Sequence, residues 1–289
     1  MRSTALMRST VLMRSTARTR RTAPMCGIAR LLLALAWLLA WPLAPAWAQD
    51  PGAQRAVGPA DFRSVLPLIA GAGAPRALAA VHIDRFLLDR RPVTNREFLE
   101  FVHQHPEWRR DRVPTLFADQ EYLSHWESPE RLGAAGPEQP VTRVSWYAAR
   151  AFCEARHERL PTWYEWELAA AADTQRADAR ADPGWSAQIL AWYAEPAGRP
   201  LGLVGQRPAN FYGIEDLHGL VWEWVEDFNS LLIDAESRAA SEERFCGAGA
   251  LSLQDRNNYA MLMRIAFLSA LEARSTVRSL GFRCAADAS

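Results

Sequence analysis

The sequence predicts an α+β domain with little regular secondary structure. Three observations favour this class: three helix starts are legible, the strand candidates are short, and stretches rich in Pro and Gly separate them. With 49% hydrophobic residues and 12 Trp in 289 residues, the chain has the composition of a globular protein. So many aromatic residues and so few regular elements indicate a core that is assembled largely by irregular segments.

Each of the three predicted helices begins at a recognisable N-cap. Thr94 and Glu97 have the spacing of a capping box, as do Thr162 and Glu165, and Ser145 is placed to cap a helix between them. Apolar residues follow each cap at helical spacing, which predicts one buried face for each helix.

Short segments between and after these helices are predicted to be strands. They are 81–88, 221–225 and 281–285. The pair Pro183-Gly184 indicates a loop. Residues 49–80 are rich in Ala, Gly and Pro and are predicted to be a tether, so that the folded domain spans 81–289.

Residues 1–48 are predicted to be a secretion signal that is removed from the mature protein. They contain seven arginines and no acid, then an apolar run over 28–47 and the small-x-small ending AWA at 46–48. The alternative is a retained membrane anchor, because the apolar run is nearly long enough to span a bilayer. The tetrapeptide MRST recurs at positions 1, 7 and 13, which makes Met25 a candidate for the true start.

The formal charge of zero divides unevenly between the signal and the rest of the chain. Seven of the 33 basic residues lie in the signal, which leaves 26 arginines against 33 acids and a charge of −7 on the mature chain. This acidic balance argues against nucleic-acid binding. A periplasmic or secreted location permits disulfides among the three remaining cysteines, Cys153, Cys246 and Cys284.

Common catalytic motifs are not recognisable in the sequence. We find no Ser-His-Asp arrangement, P-loop or dinucleotide fingerprint, and the six histidines lack a zinc or iron spacing. Core packing is the ordinary role of large aromatic residues, and the lining of a binding groove is the alternative for four of them. These are Trp108, Trp126, Trp192 and Tyr193.

Five motifs occur in an order that is similar to a known family. They are FLLDRRPVTN at 86–95, PVTRVSW at 140–146, RLPTWYEWE at 159–167, GIEDLHGLVWEW at 213–224 and LGFRC at 280–284. Together they resemble the formylglycine-generating enzyme (sulfatase-modifying factor) domain family over 81–289. The resemblance implies that family's fold, a variant of the C-type-lectin-like architecture with little regular secondary structure.

The resemblance also implies a calcium site in the fourth motif. The side chains of Asp216 and Glu223 and the backbone carbonyls of Gly219 and Val221 correspond to the family's ligands, and calcium prefers hard oxygen ligands of this kind. Asp216 stands where the family has Asn, which adds charge and keeps the oxygen. The alternative is a tight turn whose acids are solvated or cap the turn.

The cysteines differ from those of the catalytic family members. The resemblance implies a disulfide between Cys153 and Cys284, with buried free thiols as the alternative. Members that oxidise a substrate cysteine hold copper(I) and the substrate thiol with two cysteines five residues apart. Those positions correspond to Asp255 and Ala260 here, and neither supplies a thiolate. Cys246 lies nine residues before the first of them.

A copper site is one replacement for the missing cysteines. Met261 and Met263 lie close to the second replaced position, and thioether sulfur is an acceptable copper(I) ligand. Cys246, Met261 and Met263 are therefore candidate copper ligands, and Cys246 is the candidate catalytic residue. The alternative is core packing, because residues 259–271 are almost continuously apolar.

Two functions of different classes remain open. The first is an exported accessory or binding factor that takes a protein or peptide partner during maturation of a periplasmic enzyme. Similar exported domains accompany redox metalloenzymes, which indicates a copper enzyme as the target. The second is a metal-dependent oxidoreductase that acts on a protein or small thiol through a rebuilt site. We expect neither nucleic acid nor, after signal cleavage, a membrane as a partner.

Overall fold

The domain contains short strands that pair with strands distant in the sequence. The computed structural model describes residues 53–65, 80–194, 200–231 and 259–288. The strands are β1 (Gln54–Val57), β2 (Ala60–Phe62), β3 (Val81–Ile83), β4 (Phe86–Asp89), β5 (Trp222–Glu223), β6 (Leu280–Gly281) and β7 (Ala285–Asp287). The helices are α1 (Asn95–Gln104), α2 (Trp146–Ala155), α3 (Trp163–Ala170), α4 (Pro183–Tyr193) and α5 (Tyr259–Ser269), with a 3-10 turn at Pro106–Trp108. This mixture confirms the α+β class.

The strands form three small sheets within the described residues. β4 is the central strand of an antiparallel sheet ordered β1-β4-β7. β2 and β3 form an antiparallel pair, and β5 and β6 form a parallel pair in which Glu223 lies opposite Gly281. The predicted strand 81–88 is therefore two strands, β3 and β4, and the predicted strand 281–285 is divided between β6 and β7.

All three predicted N-caps are confirmed. The Thr94 side chain accepts a hydrogen bond from the backbone N–H of Glu97, and the Glu97 carboxylate accepts one from the Thr94 backbone N–H. The same exchange joins Thr162 and Glu165 at the start of α3, and Ser145 caps α2. These helices start where local side-chain chemistry satisfies the first free N–H groups.

An aromatic core lies between α1, α2 and the LGFRC motif. Phe98, Phe152 and Phe282 are buried, with ring centroids 5.3 to 6.0 Å apart. The disulfide between Cys153 and Cys284 is present beside them and links α2 to the segment between β6 and β7. The core and the disulfide therefore tie the two helices to the end of the domain.

The tether predicted over 49–80 is corrected by β1 and β2. Val57 is fully buried and Phe62 is 4% exposed. Gln54 donates hydrogen bonds to Asp89 and Glu158, so β1 contributes polar contacts as well. Each strand is short and pairs with residues far along the chain, which is why local sequence patterns did not indicate it. The folded domain includes 53–65.

Two helices lie where the sequence predicted none. α4 begins at Pro183, because the Asp182 side chain accepts hydrogen bonds from the N–H groups of Gly184 and Trp185. Proline suits the first helical position, since it has no backbone N–H and an N–H at that position would have no partner within the helix. α5 occupies most of the apolar run 259–271, which shows no clear polar face.

Several predicted features lie outside the described residues. They are the secretion signal over 1–48 with Met25, the alternative anchor over 28–47, Cys246 and Asp255. In the part of the chain that the structure describes, none of the helices has the length and the apolar character that crossing a membrane requires.

Candidate functional site

The fourth motif forms a loop before β5 that is packed around a buried histidine. His218 Nε2 lies 2.8 Å from the carbonyl oxygen of Ala170, and the Tyr193 hydroxyl lies 3.3 Å from His218 Nδ1. Since a carbonyl only accepts, the proton is on Nε2, and Nδ1 accepts from Tyr193. Burial lowers the pKa of His218 to about 4, so the imidazole is neutral near pH 7.

The carboxylate of Glu223 is paired with the arginine of the LGFRC motif. Nε and Nη2 of Arg283 donate to the Glu223 oxygens at 2.8 to 3.1 Å, and Trp166 Nε1 donates at 2.7 Å. The side chains of Glu223 and Arg283 are both completely buried. Bidentate pairs of this kind are among the stronger polar contacts in proteins, so the pair joins β5 firmly to the segment after β6.

Arg207 contacts the other end of the same loop. Its Nη1 donates to the carbonyl of His218 at 2.6 Å, and its Nη2 donates to the carbonyl of Gly219 at 2.9 Å. Asp216 Oδ2 accepts from the backbone N–H of Gly205, and burial raises the pKa of the Asp216 carboxyl. The segment 205–207 therefore supplies hydrogen-bond donors to both ends of the loop 216–219.

The four predicted calcium ligands do not fit a calcium ion in this arrangement. The Glu223 carboxylate faces an arginine and a tryptophan N–H, and the Gly219 carbonyl accepts from a second arginine. Asp216 accepts from a backbone N–H, and Val221 is buried just before β5. A calcium ion would need these oxygens to converge on it, whereas protein donors hold at least three of the four ligands.

Arg264 of α5 is a third arginine beside this loop. Its Nη2 donates to the backbone carbonyl of Glu223, and its Cζ lies 3.5 Å from the ring centroid of Trp166. Burial lowers the pKa of Arg264 to about 10. Its Nε and Nη1 have no hydrogen-bond partner in the described part of the chain. Three arginines thus surround β5 and the loop before it.

The candidate copper ligands are not brought together by the described residues. Met261 is 4% exposed, whereas Met263 is 41% exposed, and residues two apart on a helix point to different sides. Ala260, where the resemblance implies a catalytic cysteine, is buried and lines a small cavity together with Met261 and Ile189 of α4. Met261 therefore belongs to the hydrophobic core, while Cys246 lies outside the described residues.

Both cysteines of the described residues are oxidised. Cys153 and Cys284 form the disulfide, so this part of the chain holds no free thiol. One group of potential metal ligands occurs there, namely Asp89, Glu158 and Cys284. Because the Cys284 sulfur belongs to the disulfide, the group is not a metal site.

A cavity of about 330 Å³ opens beside the loop of the fourth motif. Trp185 and Trp192 of α4 provide its aromatic lining. Its charged and polar lining includes Asp173, Arg176, Asp182, Gln188 and Arg207. Asp182 followed by Pro183 is a helix-start signal that could have indicated α4 from the sequence. No local pattern indicates that Arg207 lines this cavity.

The four aromatic residues considered as groove residues have different positions. Trp192 lines the cavity, with its ring centroid 4.5 Å from Cζ of Arg207. Trp126 is buried in the core, Trp108 lies against Phe117, and Tyr193 stacks on Trp222. Of these four residues, Trp192 alone is part of the lining of this cavity.

Comparison with known proteins gives a consistent set of relatives. Residues 52–288 match the family described as the sulfatase-modifying factor enzyme 1-like domain. Inactive C-alpha-formylglycine-generating enzyme 2 of Mus musculus is 30% identical over 66% of this chain and 74% of that protein. Formylglycine-generating enzyme of Bos taurus is 29% identical over 56% of this chain and 48% of its own length. Hercynine oxygenase of Mycolicibacterium smegmatis is 30% identical over 52% and 39%. The chain therefore spans about half or less of the last two proteins.

Proposed function

The chain belongs to the sulfatase-modifying factor enzyme 1-like domain family, and we propose that it is an exported member that binds a protein or peptide partner and does not oxidise a substrate cysteine. The proposed partner is a periplasmic enzyme, specifically a copper enzyme, during its maturation. The basic, then apolar, segment over 1–48 with its AWA ending supports export.

The loss of the thiol at Ala260 carries this proposal. By resemblance, catalytic members have cysteine at the positions of Asp255 and Ala260. A buried methyl group at Ala260 neither binds copper(I) nor forms a thiolate, and no described cysteine is free. Similarity to a mouse protein that is named an inactive formylglycine-generating enzyme also supports the proposal that this chain does not oxidise a substrate cysteine.

The cavity beside the fourth motif supports a binding role. Trp185 and Trp192 offer apolar surface for a side chain of a partner. Asp173 and Asp182 both form ion pairs with Arg176, and these polar groups can orient a peptide at the same cavity. A volume of about 330 Å³ suits one or two side chains better than a folded domain.

Oxygen consumption tests whether thiol oxidation is absent. The mature chain is mixed with a cysteine-containing peptide, copper(I) and a thiol reductant, and oxygen uptake is recorded. We expect no uptake above that of the same mixture without protein. Uptake that requires the protein and is lost in Cys246→Ser would instead support the second function, a metal-dependent oxidoreductase with a rebuilt site.

Site-specific crosslinking tests the binding role. A photoreactive amino acid is placed at Gln188, which lines the cavity, and in a control at Ala187, which is exposed on the same helix but is not part of the lining. We expect a crosslink to an exported copper enzyme of the host from position 188, with a lower yield when Trp192 is changed to Ala. Equal products from both positions, or products without such an enzyme, would contradict the proposal.

A further inference from the structure

We propose that the guanidinium of Arg207 occupies the place of a bound cation in the loop 216–219, so that this chain keeps the loop folded without calcium. The inference concerns the predicted calcium ligands and does not depend on the proposed function. It rests on the hydrogen bonds, the close packing and the charge around Arg207.

Two successive carbonyls of the loop point at one guanidinium. The oxygens of His218 and Gly219 lie 2.6 and 2.9 Å from the two terminal nitrogens of Arg207. Carbonyl oxygens that converge in this way are usual ligands of a hard cation. Here the fixed fork of an arginine supplies positive charge and two N–H donors at the same point.

Arg207 packs so closely on Gly219 that only a glycine fits at this position. A β-carbon built on Gly219 would lie 2.0 Å from Arg207 Nη1 and 2.7 Å from Cβ of Trp192. Gly219 also has a φ of +77°, a conformation in which other residues are strained. The Trp192 ring covers the guanidinium in a cation–π contact. The loop is therefore shaped to the arginine.

Protein donors hold the acidic members of the predicted ligand set as well. Asp216 accepts from the N–H of Gly205, two residues before Arg207, and Glu223 is paired with Arg283. Arg207, Arg283 and Arg264 all lie beside these two carboxylates, so protein cations already supply at least the two positive charges that one calcium ion would bring. The arginines therefore balance the charge that calcium would otherwise balance.

Thermal unfolding with and without calcium tests this proposal on the mature chain. The melting temperature is measured in millimolar calcium chloride and in EGTA, and the calcium content of the dialysed protein is determined by mass spectrometry. We expect the two temperatures to agree within about 1 °C and less than one-tenth of a calcium ion per chain, since a ligand that binds only the folded state raises the melting temperature. A calcium-dependent rise of about 2 °C or more, or one bound ion per chain, would overturn the proposal.

Substitution of Arg207 tests the role of the guanidinium itself. Arg207→Gln removes the charge, and we expect a melting temperature lower by about 3 °C or more in EGTA. The control is Arg85→Gln, an exposed arginine in the turn between β3 and β4, which should leave the melting temperature unchanged. A variant at 207 as stable as the control would show that the loop needs no cation and would contradict the proposal. If that variant does not fold, the calcium response of the wild-type chain still decides.

Discussion

At the scale of single residues, His218 makes the stability of the domain sensitive to acid. Its pKa is lowered to about 4 by burial, below the value near 6.5 expected in the unfolded chain. The neutral form therefore favours folding, and this contribution is present above pH 6.5 and is lost as the pH falls towards 4. We expect the contribution of His218 to the free energy of unfolding to decrease over that range.

Replacement of His218 by Gln should reduce this acid sensitivity. Glutamine retains a donor for the Ala170 carbonyl and does not titrate. Urea unfolding between pH 4 and 7.5 measures the change in the free energy of unfolding with pH. Part of this pH dependence should remain in the variant, because burial also lowers the pKa of His125 to about 4. An unchanged slope in the variant would show that His218 does not contribute.

Glu158 acts in the opposite direction. Burial first, and then the nearby Asp89, raise the pKa of Glu158 to about 8, although Arg156 opposes this shift. The protonated form therefore favours folding, and the contribution of Glu158 to stability should be lost as the pH rises from about 4.5 through 8. In Glu158→Gln this loss should become smaller but not vanish, because burial also raises the pKa of Asp89 and Asp216, whereas the acid-side slope from His218 should persist. Urea unfolding of both chains at pH 5, 6.5 and 8 measures it, and a Gln variant that weakens between pH 5 and 8 as much as the wild-type chain would contradict the assignment.

The contacts between residues of the candidate site could not be predicted from the sequence, because they join residues far apart along the chain. Glu223 and Arg283 both lie in motifs that the sequence singled out, yet nothing local indicates that they contact each other. Arg207 lies in a loop without a motif, and its partners are two backbone carbonyls, which any residue carries. The sequence identified the oxygen atoms of this loop, but the donors that contact them depend on the tertiary fold.

At the scale of elements, the disulfide joins α2 to the segment between β6 and β7. It closes a loop with a sequence separation of 131, for which the chain-entropy model gives at most about 4–5 kcal/mol. We expect the double variant Cys153→Ser, Cys284→Ser to lose stability up to this amount, measured by urea unfolding. The wild-type chain treated with reductant is the control and should approach the variant. A loss well under about 1 kcal/mol would show that packing alone fixes these elements.

Helices with a local start signal were predicted, except α4, whose Asp182-Pro183 start was interpreted as part of a loop. α1, α2 and α3 begin at caps whose donors and acceptors lie within three residues of each other. α5 is apolar on most sides, so its periodicity is weak, and β1 and β2 exist only because β4 and β3 pair with them. Non-local pairing leaves little trace in a single sequence.

At the scale of the whole molecule, residues 53–65 belong to the folded domain. Val57 and Phe62 are buried, and burial of a side chain of this size contributes about 1.5–3 kcal/mol. A chain that starts at residue 80 should therefore be less stable than one that starts at residue 49 by at least about 3 kcal/mol, or should fail to fold. Urea unfolding of the two chains measures this, and equal stabilities would restore the tether interpretation.

The Cys153–Cys284 disulfide also determines what a protease can release. The backbone between these cysteines, closed by the sulfur bridge, is a covalent ring that contains α3, α4, the cavity and the fourth motif. A single cut anywhere in this ring opens it without detaching either piece. A nicked molecule would therefore migrate as one band without reductant and as two bands with it, and it would keep every residue of the candidate site in one covalent unit.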